Sequence, residues 1–527
     1  MSENAPQFES IDKSSTKRQA TTAWLNAQTA GTPLLCAAVF IVSVVALLLW
    51  RLYTQLEAGD SAIWDYVAQS ILRGQVPYRD VVEIKTPASS YLSAIAMWLG
   101  RAAGVRDVIA VRFMQIVLAG VLSSATFLVA EIYLRHRVAA LIGALFPLMS
   151  DHFVSWTEGG TQPKLTMILF GMLTLLLIAR ERPFWAGVCS MLACLCWQPG
   201  LLFTGVAVLI FSRYLTTWRD GRALKLVAGA TVPLAVTVLY FYSEGAPADF
   251  WTWTVAYNFE VYAPEGMRAL GETLTHAWTV VARVFKVDAL WLPISFAGLL
   301  LFTFQRLRST LKIKNALESP DLFKDAILIA PILYLAFCSI NLQSGPDLIP
   351  LFPFVGIFAG WFIAETPRLL KHFASIGQRP SLCRAIEIVP VVALALILAL
   401  TLFRALTFKS EEPTVAYQES QLKVISDLVG PDDRVYVHGA VEILVLLNKP
   451  NLTPYIMWDH GKAAYIAARK YGGSIDSMVK AMEAEAPKLV AVSRLRHGAE
   501  REAMDRWIAE HYDKLPITGY EVFLRKR

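Results

Sequence analysis

Charge is what this chain has least of. Asp, Glu, Lys and Arg make up 17% of its 527 residues against 55% hydrophobic residues, where a soluble chain carries about 25% charge. That deficit excludes a single water-soluble globule, and the apolar content excludes disorder. Cysteine is scarce too. Its six residues (Cys36, Cys189, Cys194, Cys196, Cys338, Cys383) lie in apolar runs or a short basic loop, which argues against a disulfide framework or a zinc site and for buried thiols. A Gly-x-Gly-x-x-Gly turn is missing, so nothing argues for a dinucleotide. The net charge of +6 does not imply a nucleic-acid partner, because the surplus Lys and Arg sit in short loops between apolar runs, where they report topology.

The deficit is uneven. From Lys409 onward the chain carries 17 basic and 17 acidic residues, close to an ordinary soluble domain. Before that lie apolar runs at about 33–52, 108–134, 138–150, 164–180, 184–197, 199–215, 226–243, 287–305, 326–342, 347–364 and 386–407. The expected fold is therefore a polytopic α-helical membrane protein with about eleven transmembrane helices and a C-terminal soluble α/β domain. Residues 1–32 form a polar cytoplasmic tail, 33–407 the membrane domain with a loop at 53–107, and 408–527 the soluble domain. The break at Trp197 to Gly200 either separates two spans or kinks one. Basic loops such as Arg135/Arg137, Arg180/Arg182 and Arg306/Arg308 fall on one face, so the N-terminus is expected inside. The 53–107 loop and the tail are then outside, with a bacterial inner membrane as the expected location.

The tail alternates helix and strand: helices at Ala416–Val429, Val441–Asn448, Ser474–Glu485 and Glu500–His511, and strands at Arg434–Val437, Tyr455–Trp458, Leu489–Ser493 and Tyr520–Leu524. His438, Asp459 and His460 have no spacing that links them and read as fold and surface chemistry.

The 53–107 loop holds Asp60, Asp65, Asp80 and Glu83 with Arg73, Arg79 and Lys85. Cations on an outer loop run against the inside bias, so something other than topology keeps them there. A carboxylate at the interface suits a general base, and Lys or Arg there suits a phosphate. The plainer reading makes Asp60 the N-cap of an interfacial helix over Ser61–Arg73. A second polar group, Asp151, His152, Glu158, Gln162 and Lys164, sits on the turn between the third and fourth spans. Asp60, Asp65, His152 and Glu158 offer donors for a divalent cation.

The order of Gly59-Asp60 after a first membrane helix, an interfacial helix, Gly74-x-x-Pro77-Tyr78-x-Asp80 and Lys85-Thr86-Pro87 resembles the GT-C integral-membrane glycosyltransferases, especially the protein O-mannosyltransferase and lipid A aminoarabinose-transferase branch. Arg112, the Thr157–Gly160 turn and Leu351–Phe354 fit the same pattern. The family usually has Asp-Glu where this chain has Asp60-Ser61, and Lys-Pro-Pro where it has Lys85-Thr86-Pro87. The resemblance implies inverting transfer of a sugar from a polyprenyl-phosphate donor to a hydroxyl of a protein, lipid or glycan acceptor. It makes Asp60 the catalytic base and Lys85 the donor-phosphate ligand, helped by Arg79 and Lys164. Asp65, Tyr78, Asp80, Glu83, Glu158 and Gln162 complete the candidate substrate-binding set. A transporter or flippase of a lipid-linked sugar is the alternative, disfavoured because the ionisable clusters lie at the outer boundary and no inverted repeat is visible.

Overall fold

The computed structural model describes residues 31–213, 221–263, 270–311, 322–373, 380–408, 413–493, 498–517 and 519–526. The expected tail at 1–32 lies almost wholly outside the described residues. Each of the eleven apolar runs forms a helix: α1 (Thr32–Trp50), α4 (Asp107–Leu134), α5 (Arg137–Leu145), α7 (Pro163–Ala179), α8 (Pro183–Cys196), α9 (Leu201–Arg213), α10 (Arg222–Ser243), α12 (Trp291–Leu311), α13 (Asp325–Asn341), α14 (Phe352–Phe373) and α15 (Pro380–Thr407). Five described helices are long and apolar enough to cross a membrane on their own, counting the 3₁₀ turn that leads into α14. A sixth span results if Arg137–Met149 and the following helix α6 (Asp151–Glu158), bent by 71°, are one broken crossing. Trp197 takes an extended backbone, φ −158° and ψ 134°, and separates α8 from α9. Many large apolar side chains on these helices are exposed, among them Ile41, Leu239, Phe304 and Phe403, as a lipid-facing surface requires.

Two shorter helices from the 53–107 loop, α2 (Gly59–Leu72) and α3 (Ala88–Ala102), lie at one end of the bundle, and α11 (Leu270–Phe285) follows the 244–263 segment. On α3, Ile95, Trp98 and Leu99 are exposed together, at the i, i+3, i+4 spacing of an apolar stripe.

The tail contains α16 (Val415–Leu428), β1 (Val435–His438), α17 (Val441–Leu447), α18 (Lys462–Lys470), α19 (Ile475–Ala484), β2 (Leu489–Val492), α20 (Ala499–His511), β3 (Tyr512–Lys514) and β4 (Glu521–Arg525). The sheet order is β1-β2-β4-β3, with β1 and β2 parallel and the other pairs antiparallel. Both parallel strands are buried along their length, as expected of strands covered on both faces. Tyr455–Trp458, expected as a strand, is a buried loop instead. The amide of Trp458 donates to His438 Nε2 at 2.9 Å, so an imidazole takes the place of a ladder carbonyl. Helix α18 and strand β3 were not expected from the sequence.

The tail shares two hydrophobic cores with the other loops at the same end of the bundle. Ala62, Tyr66 and Val67 of α2 pack with Leu422 and Ile425 of α16 and with Ile443 and Leu444 of α17. Tyr78, Phe241, Trp253 and Tyr257 pack with Tyr436, Tyr455, Trp458 and Tyr465. Hydrogen bonds tie the same seam: Glu57 N donates to Gln418 Oε1 (2.9 Å), Gln418 Nε2 to Glu57 O (2.8 Å), Asn451 N to Tyr66 Oη (2.7 Å) and Val82 N to Pro454 O (2.9 Å).

Candidate active site

A cavity of about 100 Å³ opens at this seam. Three walls meet there. The 53–107 loop supplies Asp60, Glu83 and Lys85; Tyr262 comes from the helical segment Asn258–Tyr262 and Gln343 from a later turn; and the tail supplies Asp459, His460 and Lys462.

Asp60 reaches the cavity because of Gly59. That residue has φ +70°, a left-handed conformation that costs glycine little. Helix α2 begins there, its cap position is Ala58, and Asp60 lies in the first turn without making a capping bond. The N-cap reading of Asp60 is thereby corrected: the helix starts two residues earlier than expected. Asp60 is exposed, and among the described residues its carboxylate has no hydrogen bond or ion pair.

Lys85 is held through its backbone. The Glu83 carboxylate accepts from Ile84 N (2.8 Å) and Lys85 N (2.9 Å). Tyr78 donates its hydroxyl to Lys85 O at 2.8 Å. Gln198 and Asn258 donate side-chain amides to Ile84 O at 2.6 and 3.0 Å. Tyr78 has φ +72°, unusual for a bulky residue, and its ring is buried against Phe241 and Phe250. The ammonium lies over the rings of Trp197 and Tyr262, at 5.6 and 5.3 Å, within cation–π range. Burial works against the Lys85 charge, but Tyr262, Glu83, Asp347 and Asp60 outweigh it and hold the amine above its usual value. Lys85 therefore stays cationic at neutral pH.

Lys164 stacks on the same Trp197, 4.9 Å from the ring centre, and pairs with Asp347 at 2.7 Å. Asp347 also closes a capping box with Ser344. The remaining predicted residues are not brought to the cavity. Arg79 pairs with Asp80 at 2.8 Å and donates to Glu244 O at 2.6 Å, on the surface. Asp80 accepts from Val76 N at 2.8 Å and closes the turn that contains Tyr78. Gln162 is the cap of α7, and His152 stacks on Trp156.

Asp65 and Glu158 belong to a buried cluster behind Asp60, organised by Arg112. The Arg112 guanidinium is fully buried and pairs with the equally buried Glu57 at 2.8 Å. It also donates to Tyr53 O (2.8 Å), Gln55 O (2.6 Å) and Leu56 O (3.1 Å). Glu158 accepts from Tyr53 N at 3.0 Å, and Asp65 accepts from Thr161 N at 3.2 Å and from its hydroxyl. Among the described residues Glu57 Oε1, Asp65 Oδ2 and Arg112 Nε have no hydrogen-bond partner. Burial, reinforced by the Asp65 charge, pushes Glu57 well up; burial pushes Asp65 up to about 6. Among the described residues no three His, Cys, Asp or Glu side chains form a metal cradle. The four donors expected for a cation are dispersed, with Asp60 in the cavity, Asp65 and Glu158 in the cluster and His152 on Trp156.

Sequence reasoning missed the tail's contribution. The sheet and the shared cores bring Asp459, His460 and Lys462 to Lys85 from more than 370 positions away in the chain, with no local spacing to mark them.

The described fold is similar to that of ArnT from Cupriavidus metallidurans bound to undecaprenyl phosphate, with a TM-score of 0.59, 13% identity, and coverage of 94% of this chain and 98% of that one. It is also similar to the oligosaccharyltransferase AglB from Archaeoglobus fulgidus in complex with an inhibitory peptide and a dolichol-phosphate, with a TM-score of 0.54, 12% identity, and coverage of 94% and 75%. In sequence, the chain is 25% identical over 279 residues to a dolichol phosphate-mannose mannosyltransferase of Haloferax volcanii, covering 51% of this chain and 55% of that protein. The chain thus spans about half the length of the curated relative it matches. No protein-family model matches it.

The buried cluster generates a pH-dependent prediction. Asp65 titrates higher in the folded chain than when unfolded, so folding favours its neutral form. Its contribution to stability is complete below about pH 4 and is lost as pH rises through about 6. Thermal midpoints of purified wild type should fall across that interval, and Asp65→Asn, neutral at every pH, should flatten the fall. An identical slope in both proteins would mean that Asp65 is ionised in the native state.

Proposed function

We propose that this chain is a glycosyltransferase that moves a sugar from a polyprenyl-phosphate-linked donor to an acceptor hydroxyl at the outer face of the membrane. The observation that carries the reading is the meeting of Asp60 and Lys85 in one cavity, an unpartnered carboxylate with a retained cation. The fold similarity and the mannosyltransferase relative support the same class.

The reaction is an inverting displacement. The acceptor oxygen attacks the anomeric carbon from the side opposite the phosphate, and Asp60 takes its proton. The bond from the anomeric carbon to the phosphate oxygen breaks with its electron pair on that oxygen. Lys85 faces the polyprenyl phosphate as negative charge grows there. Lys164, one ring away behind Trp197 and paired with Asp347, tunes this ground rather than touching the donor. The basic loops support an N-terminus inside and a tail domain outside, with a bacterial inner membrane as the proposed location.

Two substitutions test the roles separately. Asp60→Asn should keep the protein folded, because the exposed carboxylate makes no capping bond, while transfer falls by about 10²–10⁴-fold; activity near wild type would remove the proposed base. Lys85→Ala should lower donor turnover by about 10–100-fold through loss of a charge-assisted contact. Unchanged donor kinetics in that variant would move the phosphate site elsewhere.

A further inference from the structure

The tail turn at residues 459–462 has a role that its surface-like sequence hides. We propose that Asp459, His460 and Lys462 form the donor-sugar subsite, and that it selects an uncharged hexosyl group by its hydroxyls. This rests on the lipid-phosphate-sugar donor proposed above.

Position is the first argument. The Tyr262 ring lies 5.3 Å from Lys85 Nζ and 5.3 Å from the His460 ring. The turn is thus one aromatic ring away from the proposed phosphate ligand and lines the same cavity. Construction is the second. His460 and Gly461 are consecutive left-handed residues, at φ +52° and +68°, a conformation that costs free energy at a non-glycine position. It is held from outside: Tyr257 donates its hydroxyl to His460 O, and a Cβ at Gly461 would come within 2.7 Å of Val261. Upstream, buried His438 accepts from Trp458 N at Nε2 and donates from Nδ1 to Ser493 O at 3.1 Å. That tautomer requires a neutral ring, in keeping with burial pulling His438 down to about 4.

Chemistry is the third. Lys462 lies 3.1 Å and the His460 ring 3.5 Å from the Asp459 carboxylate. Burial alone would raise the Asp459 carboxyl, but Lys462 and His460 outweigh it and hold it below the usual range. An ionised carboxylate beside an ammonium offers acceptors and donors together, which is what vicinal sugar hydroxyls need. Within the turn the single negative charge of Asp459 is matched by the single positive charge of Lys462, so the turn itself offers no net charge to an ionic substituent on the sugar.

The test compares two lipids on the full-length purified protein: decaprenyl phosphate, and mannosyl-phosphoryl-decaprenol. Wild type should bind the sugar-bearing lipid more tightly. Asp459→Asn should weaken that lipid by about 10-fold or more and leave decaprenyl phosphate within about 2-fold. Equal weakening of both lipids would show a merely structural turn. No effect on either lipid, with a raised acceptor KM, would assign the turn to the acceptor. Tighter binding of a 4-amino-4-deoxyarabinosyl lipid than of the mannosyl lipid would overturn the choice of an uncharged sugar. Should wild type bind neither decaprenyl lipid, the donor reading of Lys85 itself fails. If Asp459→Asn does not fold, His460→Ala reads the same ratio.

Discussion

Burial of Arg112 is the constraint on which the rest of the site depends. A guanidinium with no exposure needs its charge answered, and this one is answered through its two terminal nitrogens by Glu57 and by three carbonyls of residues 53–56, Nε alone staying without a partner among the described residues. Breaking such a pair costs on the order of 3–5 kcal/mol, because the other charge stays buried. The short link between α1 and α2 is thereby fixed along its length, and α2 starts where Gly59 turns Asp60 outward. Glu57 is also the residue that Gln418 of the tail grips through its backbone. A single buried cation thus sets the position of the proposed base and one anchor of the soluble domain.

The tail is therefore part of the site rather than an appendage to it. Its two shared cores bracket the cavity, one beneath α2 and one around Tyr78 and Tyr257. The second core also buries the Tyr78 ring, whose hydroxyl fixes the Lys85 carbonyl. Packing between the domains, backbone strain at Tyr78 and the direction of Lys85 are three aspects of one arrangement. Loop sites need such support, since a loop alone does not hold reacting groups to within a fraction of an ångström.

Much of this was legible in the sequence. Long apolar runs with short basic loops specify helices by length and composition, and all eleven runs are helical. The pairing of Gly59-Asp60 with Lys85 was read from a short motif, and both side chains do line one cavity. Charge alone misled where neighbours cancel it: Arg79 looked available, yet Asp80 beside it takes its charge. Asp65 and Glu158 read as substrate-binding candidates because their burial around Arg112 leaves no local pattern in the sequence. The tail turn was invisible for a similar reason. Asp459 and His460 acquire a role only through the sheet, the His438 bond and Tyr257, and those contacts join residues 20 to more than 200 positions apart.

The central claim is that the bond between sugar and lipid phosphate is broken in this cavity. The direct measurement is mass spectrometry of the lipid products after purified protein is incubated with mannosyl-phosphoryl-decaprenol and a mixture of peptide, glycolipid and glycan acceptors. The account predicts decaprenyl monophosphate in a 1:1 ratio with glycosylated acceptor, as a single displacement requires. Lipid-linked sugar that stays intact while crossing sealed vesicles with the protein present would contradict it, and would identify a transporter.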